Sequence, residues 1–359
     1  RHGLQQVASL QELLSEWPEA GALHELFEVS VGLFEEVVTA FGFLVQGDDD
    51  DWAFHLDFSA ERSALHEIVG LPLDVAGDLP QLLHFDAVGV AFTSATLCVE
   101  ADSSWFRQQV GAGDAAVTLQ VESPFDHDRQ CLLAQTANLG DWRDADFVPQ
   151  VADLVAALHA RTARRTMVLL TSRRTLGALA EELRDRLHPA ATLLTQSDQV
   201  GRSLLASRFV ATPGAVLLGL ASFWEGVDFP GQALELLVIP KLPFLVPNEP
   251  LVEARCQRLR ARGDDPFTDY LLPEAILRLR QGFGRLLRSP QDRGAVVLLD
   301  ARLETRPYGA DFLAPLPLPS QCFEDAESLV DAVAEWVEQA VAPLQSAAPT
   351  SVDFLPEEA

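Results

Sequence analysis

Late in the sequence, Gln281, Arg285 and Arg288 stand in "QGFGRLLRS" at positions i, i+4 and i+7. That spacing puts three side chains on one face of a helix. Two guanidinium groups aimed at one anion stabilise the charge that develops in phosphoryl transfer, an effect of about 10³–10⁵ in rate for arginines that act this way. Gly282 and Gly284 lie between them, and each costs a helix interior about 1 kcal/mol. Close approach of another domain or a ligand would account for that cost. A surface helix laced with salt bridges is the competing reading.

Three further stretches put polar groups where chemistry would need them. In "FTSATL" (92–97), Ser94 and Thr96 present hydroxyls after an apolar run. They could bridge a phosphate and a second site, or simply cap a helix. In "TSRRTL" (171–176), Thr171, Ser172, Arg173 and Arg174 open a helical pattern. Hydroxyls and arginines at a helix N-terminus can hold an anion, and capping is again the alternative. In "ASFWEGVDFPG" (221–231), Gly226 and Gly231 permit tight turns, and Glu225 and Asp228 flank the first of them. Trp224 offers a face for a base, while the acids could accept hydrogen bonds from a ribose or from arginines. A surface loop with a buried tryptophan fits those residues equally well.

The elements that must hold these residues alternate. Strand-like apolar runs are expected at 87–92, 116–121, 131–134, 167–171, 191–195, 215–220, 235–239 and 295–299. Helical patterns fall at 148–161, 174–188, 198–209, within 250–262, at 273–288 and near 325–341. Strands and helices in turn predict an α/β fold, a parallel sheet with crossover helices. Ligands of such sheets sit at the carboxyl ends of the strands. Residues 1–45 show apolar residues at helical spacing among acids, "QGDDDD" (46–51) reads as a solvated loop, and 52–58 as a short strand.

Composition narrows the function. The net charge is -27, which argues against a general attraction to nucleic acid. The charge is uneven, however: residues 1–90 hold 17 acids and two arginines, whereas 250–293 hold nine arginines and six acids. The one lysine is Lys241. The four cysteines, at 98, 131, 256 and 322, show no metal-ligand spacing, so no metal or iron–sulfur site is expected in this chain; they fit a reducing cytoplasm. No apolar run suggests a membrane span. Arg1 is not an initiator residue and the one methionine is Met167, so a piece of something longer is expected.

"FTSATL" (92–97), "VLLTSRRTL" (168–176), "LGLASFWEGVDFPG" (218–231) and "QGFGRLLRS" (281–289) resemble, in order, motifs III, IV, V and VI of the DinG/XPD family of superfamily 2 helicases. "SPFD" (123–126), "IPKLPFLVPNEP" (239–250) and "RPYGADFLAPLP" (306–317) also look like that family's bacterial DinG branch. The resemblance implies that 101–345 form a second RecA-like motor domain and that 84–100 end the first. Residues 1–83 would be a mostly helical tail of the Arch insertion, and 346–359 a flexible tail. It further implies that Arg288 and Arg285 are arginine fingers for ATP, with Gln281 beside them. Glu225, Gly226 and Asp228 would link nucleotide to DNA, and Ser94 and Thr96 would couple hydrolysis to DNA movement. Thr171, Ser172 and Arg173, with Trp224, would lie along single-stranded DNA.

One departure matters. A P-loop needs a lysine after glycine, and Lys241 follows a proline in "VIPKLP". No Asp-Glu-x-His follows a strand before residue 84 either. The phosphate cradle and the Mg²⁺ ligands would therefore come from a missing N-terminal motor domain. The expectation is the back part of a cytoplasmic 5′→3′ DNA helicase, inactive as an ATPase alone. The rival is a helicase-derived scaffold or DNA clamp that lacks the P-loop.

Overall fold

The computed structural model describes residues 29–32, 38–39, 41–43, 51–58, 65–84, 89–94, 96–97, 103–113, 116–196, 200–220, 223, 234–287, 289 and 291–339. The chain forms two compact units: Arg1–Ala87 with Gln109–Gly111 and Val246–Pro266, and Val88–Gln108 with Ala112–Leu245 and Phe267–Ala359.

In the first unit, the described residues 29–32, 38–39 and 41–43 are helical. Strand β1 (Trp52–Phe58) forms where expected. It pairs antiparallel with β2 (Leu65–Pro72), from Trp52 opposite Pro72 onward. The second strand is an addition to the sequence reading, and its cause is plain: a lone strand leaves its backbone donors and acceptors unpaired. The helix Pro250–Arg262 belongs to this unit, where Arg258 reaches Asp51 at 2.7 Å and Arg255 donates to the Leu73 carbonyl at 3.1 Å.

The second unit is a seven-stranded sheet in the order β5-β6-β4-β7-β8-β3-β9, parallel at every pairing. Its strands are β3 (Cys131–Gln135), β4 (Thr166–Leu169), β5 (Leu193–Thr195), β6 (Val216–Gly219), β7 (Leu236–Ile239), β8 (Gly294–Leu298) and β9 (Gln321–Cys322). The main helices are α1 (Phe147–Thr162), α2 (Arg173–Arg186), α3 (Arg202–Ala211), α4 (Leu272–Phe283) and α5 (Ala326–Glu338). Alternate residues of each strand serve opposite faces. Leu132, Val168, Leu218, Val238 and Val297 meet α1, α2 and α5; Leu133, Met167, Leu217, Leu237 and Val296 meet α3 and α4. In α2 the buried stripe is Leu176, Leu179, Ala180 and Leu183, a three-four spacing that keeps one side on the sheet.

Two expected strands do not form among the described residues. Residues 89–94 are irregular, and 116–121 run unpaired with Val117 95% exposed. Apolar runs without a neighbouring edge have nothing to complete their ladder. The helix expected over 273–288 spans Leu272–Phe283. After β8 the chain forms short helices Arg302–Thr305 and Gly309–Leu313 before β9.

Gly294 opens β8 against the chain entering β7. A Cβ there would lie 2.2 Å from the Glu235 carbonyl oxygen, which itself accepts the Ala295 N–H at 2.9 Å. Gly294→Ala should therefore force β7 and β8 apart, costing about 1–3 kcal/mol as overpacking does. Thermal unfolding should show a melting point several degrees lower; an unchanged one would mean that this contact relaxes freely.

Candidate helicase site

At the carboxyl edge of the sheet, β4 and β6 are neighbours, and their ladder runs past the strand ends: Leu170 donates to the Gly219 carbonyl at 2.8 Å. The chain leaving β4 (Thr171–Arg173) and the chain leaving β6 (from Leu220) are thus brought side by side. Gln196, just after β5, accepts from the Leu220 N–H at 2.8 Å and fixes the second exit. Phe223 is buried against Gly219, whose missing side chain leaves room for the ring. Trp224, Glu225, Gly226 and Asp228 lie outside the described residues.

Ser172 has a clear local task. It caps α2, its Oγ accepting the Thr175 N–H at 3.1 Å and lying 2.7 Å from the Thr175 hydroxyl. Capping turns the chain sharply and leaves Arg173 exposed in the first helical turn, with Thr171 half-buried behind it. Ser94 and Thr96 sit in a tight turn of their own. Their hydroxyls are 3.2 Å apart, and Ser94 Oγ accepts the Thr96 N–H at 3.1 Å.

The one-face arrangement of Gln281, Arg285 and Arg288 does not hold. Helix α4 ends at Phe283, so Arg285 stands beyond it, and Arg288 is outside the described residues. The reason is visible in the hydrogen bonds. Past Phe283 the ladder tightens from four-residue to three-residue spacing, with Arg285 bonded to Gly282 at 3.1 Å and Leu286 to Phe283 at 3.1 Å. Gly282 and Gly284, the poorest helix formers short of proline, give that end its weak point. Gln281 remains on the helix, half-buried, and its Oε1 is buried without a donor among the described residues.

The segment that carries the arginines is pinned by two residues that sequence reasoning missed. Gln130, 3% exposed, donates through Nε2 to the carbonyls of Ser289 (3.2 Å) and Asp292 (2.9 Å). Its Oε1 accepts the Asp126 N–H at 2.8 Å. Asp292, 2% exposed, accepts the Ser289 N–H at 2.7 Å and the Ser289 hydroxyl at 2.8 Å. One amide and one carboxylate thus close the loop onto the start of β3. Nearby, His127 lies 6.4 Å from the Phe283 ring, and burial holds its pKa below the ordinary histidine value although Asp128 and Asp126 pull the other way. Among the described residues no three His, Cys, Asp or Glu side chains gather to hold a metal.

Residues 155–318 match the family described as the helicase C-terminal domain. The ATP-dependent DNA helicase YoaA of Escherichia coli (strain K12) is 39% identical over 246 residues, covering 68% of this chain and 38% of that protein. Residues 155–318 form a helicase C-terminal domain, similar to those of the YoaA and DinG helicases. The ATP-dependent helicase DinG of Mycobacterium tuberculosis (strain ATCC 25177 / H37Ra) is 35% identical over 275 residues, 74% of this chain and 40% of the relative. A solved XPD helicase shares the fold at 16% identity, with a TM-score of 0.58 over 79% of this chain and 49% of its own. The chain therefore spans less than half the length of these relatives. Thr171–Arg173, Gln281, Arg285 and the segment holding Glu225 fall inside the matched helicase domain, whereas Ser94 and Thr96 precede it.

Loss of the Gln130 side chain would strand two loop carbonyls in a dry site. An unpaired buried acceptor costs about 1–3 kcal/mol, so Gln130→Ala should lower the urea midpoint without changing the slope. An unshifted midpoint would show that the loop holds itself.

Proposed function

We propose that this chain is the C-terminal part of a cytoplasmic, ATP-dependent 5′→3′ DNA helicase, whose second motor domain it forms. The observation that carries this reading is the side-by-side exit of the chain at Thr171–Arg173 and at Leu220 from one sheet edge, within a domain whose curated relatives are named ATP-dependent DNA helicase YoaA and ATP-dependent helicase DinG. The first of these exits bears hydroxyls and an arginine suited to a phosphodiester strand, and the second bears Trp224, Glu225, Gly226 and Asp228 between strand and nucleotide. Residues 1–83 would be the tail of an Arch insertion, and Ser94 and Thr96, ending a first motor domain at 84–100, would pass the effect of hydrolysis to the DNA.

For ATP the chain offers guanidinium groups from Arg285 and Arg288 and the side-chain amide N–H donors of Gln281. That set suits the outer face of a triphosphate. It does not suit its cradle, because the single lysine, Lys241, is not in a glycine-rich phosphate loop. The cradle and the carboxylates for Mg²⁺ would belong to another motor domain, and the ion would there neutralise phosphate charge. On this reading the arginines bind and orient the terminal phosphate and stabilise its charge during transfer.

In the intact motor, Arg288→Ala should lower ATP turnover by about 10³-fold or more while nucleotide binding, measured by equilibrium dialysis, stays within a few-fold. Unchanged turnover would refute the arginine-finger role. The isolated chain should show no turnover, and measurable hydrolysis by it would overturn the shared-site reading.

A further inference from the structure

At the carboxyl edge three neighbouring strands deliver cations to one place. Lys241 follows β7, Arg302 follows β8, and Trp142 and Arg143 follow β3. The Lys241 ammonium stands 3.4 Å from the centroid of the Trp142 ring, with Arg143 at 4.9 Å and Arg302 at 5.9 Å from the same ring. Such stacking fixes where a cation sits but leaves its charge uncancelled.

The nearby carboxylates are committed elsewhere. Asp300, buried, accepts the N–H groups of Leu242 (2.8 Å) and Arg302 (3.0 Å), and both Nε (2.9 Å) and Nη2 (2.6 Å) of the Arg302 side chain. Four bonds exhaust its lone pairs. Asp141 accepts the Arg143 N–H at 3.0 Å and pairs with its guanidinium at 3.5 Å. Lys241 has no carboxylate within ion-pairing distance among the described residues, and burial, then Arg302, hold its pKa below the ordinary lysine value, with Asp300 and Asp141 opposing and Arg143 adding to the effect. The indole Nε1–H of Trp142 is buried without an acceptor among the described residues as well. Donors and positive charge are in excess, so the missing member is an anion.

We infer that Lys241, fixed on Trp142 and backed by Arg302, seats a backbone phosphate of single-stranded DNA. The inference rests on the strand-binding reading above and extends it. The β4 exit with Thr171–Arg173 is one strand away from Lys241, and Arg302 is one strand further. At roughly 4.8 Å per strand, the row from Arg173 to Arg302 advances about 10 Å along a single edge. A lysine suits this position: its compact ammonium keeps rotatable donors for a phosphate while the ring holds it. At every other position of this charge the chain uses arginine.

The single lysine makes the test direct. Reductive methylation with carbon-13 formaldehyde marks Lys241 and the terminal amine of the 359-residue chain and no other group. Adding fluorescein-labelled oligothymidylate should move the dimethyl-Lys241 resonance in step with the anisotropy of the same sample. Lys241→Gln should weaken binding by about tenfold at low salt and reduce the salt slope by about 0.7, the loss of one single-strand phosphate contact, while its melting point stays near that of the parent. If Arg173→Ala weakens binding but Lys241→Gln changes neither affinity nor slope, the seat is refuted and the strand-binding reading stands. If no oligothymidylate binds, both fall. A resonance that answers to ADP or inorganic phosphate but not to oligothymidylate would make the occupant a nucleotide phosphate and overturn the DNA seat.

Discussion

A parallel sheet buried on both faces governs everything else in this domain. Met167, Val168 and Leu169 of β4 are wholly buried, as are their neighbours Val216, Leu217 and Leu218. Water reaches neither face, so every backbone group must find its partner within the ladder. Parallel pairing then obliges the chain to cross back after each strand, and the crossovers are the helices that cover the faces. The ends of the strands are what remains for chemistry. Their positions are set by the same ladder, which continues beyond the strands at Leu170, Thr136 and Leu299. A residue one or two places past a strand is therefore held almost as firmly as the strand itself.

The two edges of the sheet are built differently. At the amino edge, where β3 and β8 begin, the long segment from α4 is closed by the buried amide of Gln130 and carboxylate of Asp292. Buried polar groups of this kind allow few alternatives, since any other loop path would leave acceptors unpaired. At the carboxyl edge the exits instead carry exposed or half-buried cations held by a cap, a ring or a carboxylate: Arg173 after Ser172, Lys241 over Trp142, Arg302 on Asp300. Rigid loop closure below and charge display above match the two tasks proposed for the domain.

How much of this the sequence revealed follows from the physics of each element. The central strands were legible because burial on both faces produces largely apolar runs at 131–134, 167–171, 215–220, 235–239 and 295–299. A different strand signal misled at 116–121, where an alternating apolar run lies unpaired, because strand formation depends on a neighbour that a local pattern cannot supply. The end of α4 was misjudged for a related reason. The i, i+4, i+7 spacing of Gln281, Arg285 and Arg288 was real, but Gly282 and Gly284 decided where the helix stopped. Gln130 and Asp292 had no local signature, since their bond joins residues 162 positions apart. Lys241 stands out in the sequence by its rarity, and only the meeting of β3, β7 and β8 gives that rarity a setting.

The net charge of -27 opposes the ligand proposed for the upper edge. Screening removes the conflict. At physiological ionic strength exposed charges are screened beyond about 8 Å, so a phosphate at the sheet edge responds to the cations it touches far more than to the chain's net excess of acids. That excess still acts at long range in low salt, where it opposes non-specific attraction to polyanions. Binding strength would then come from a few fixed contacts, and strands that do not reach the edge would be turned away. An acidic chain with a narrow cationic row can in this way discriminate by geometry where a uniformly basic one would bind any phosphate.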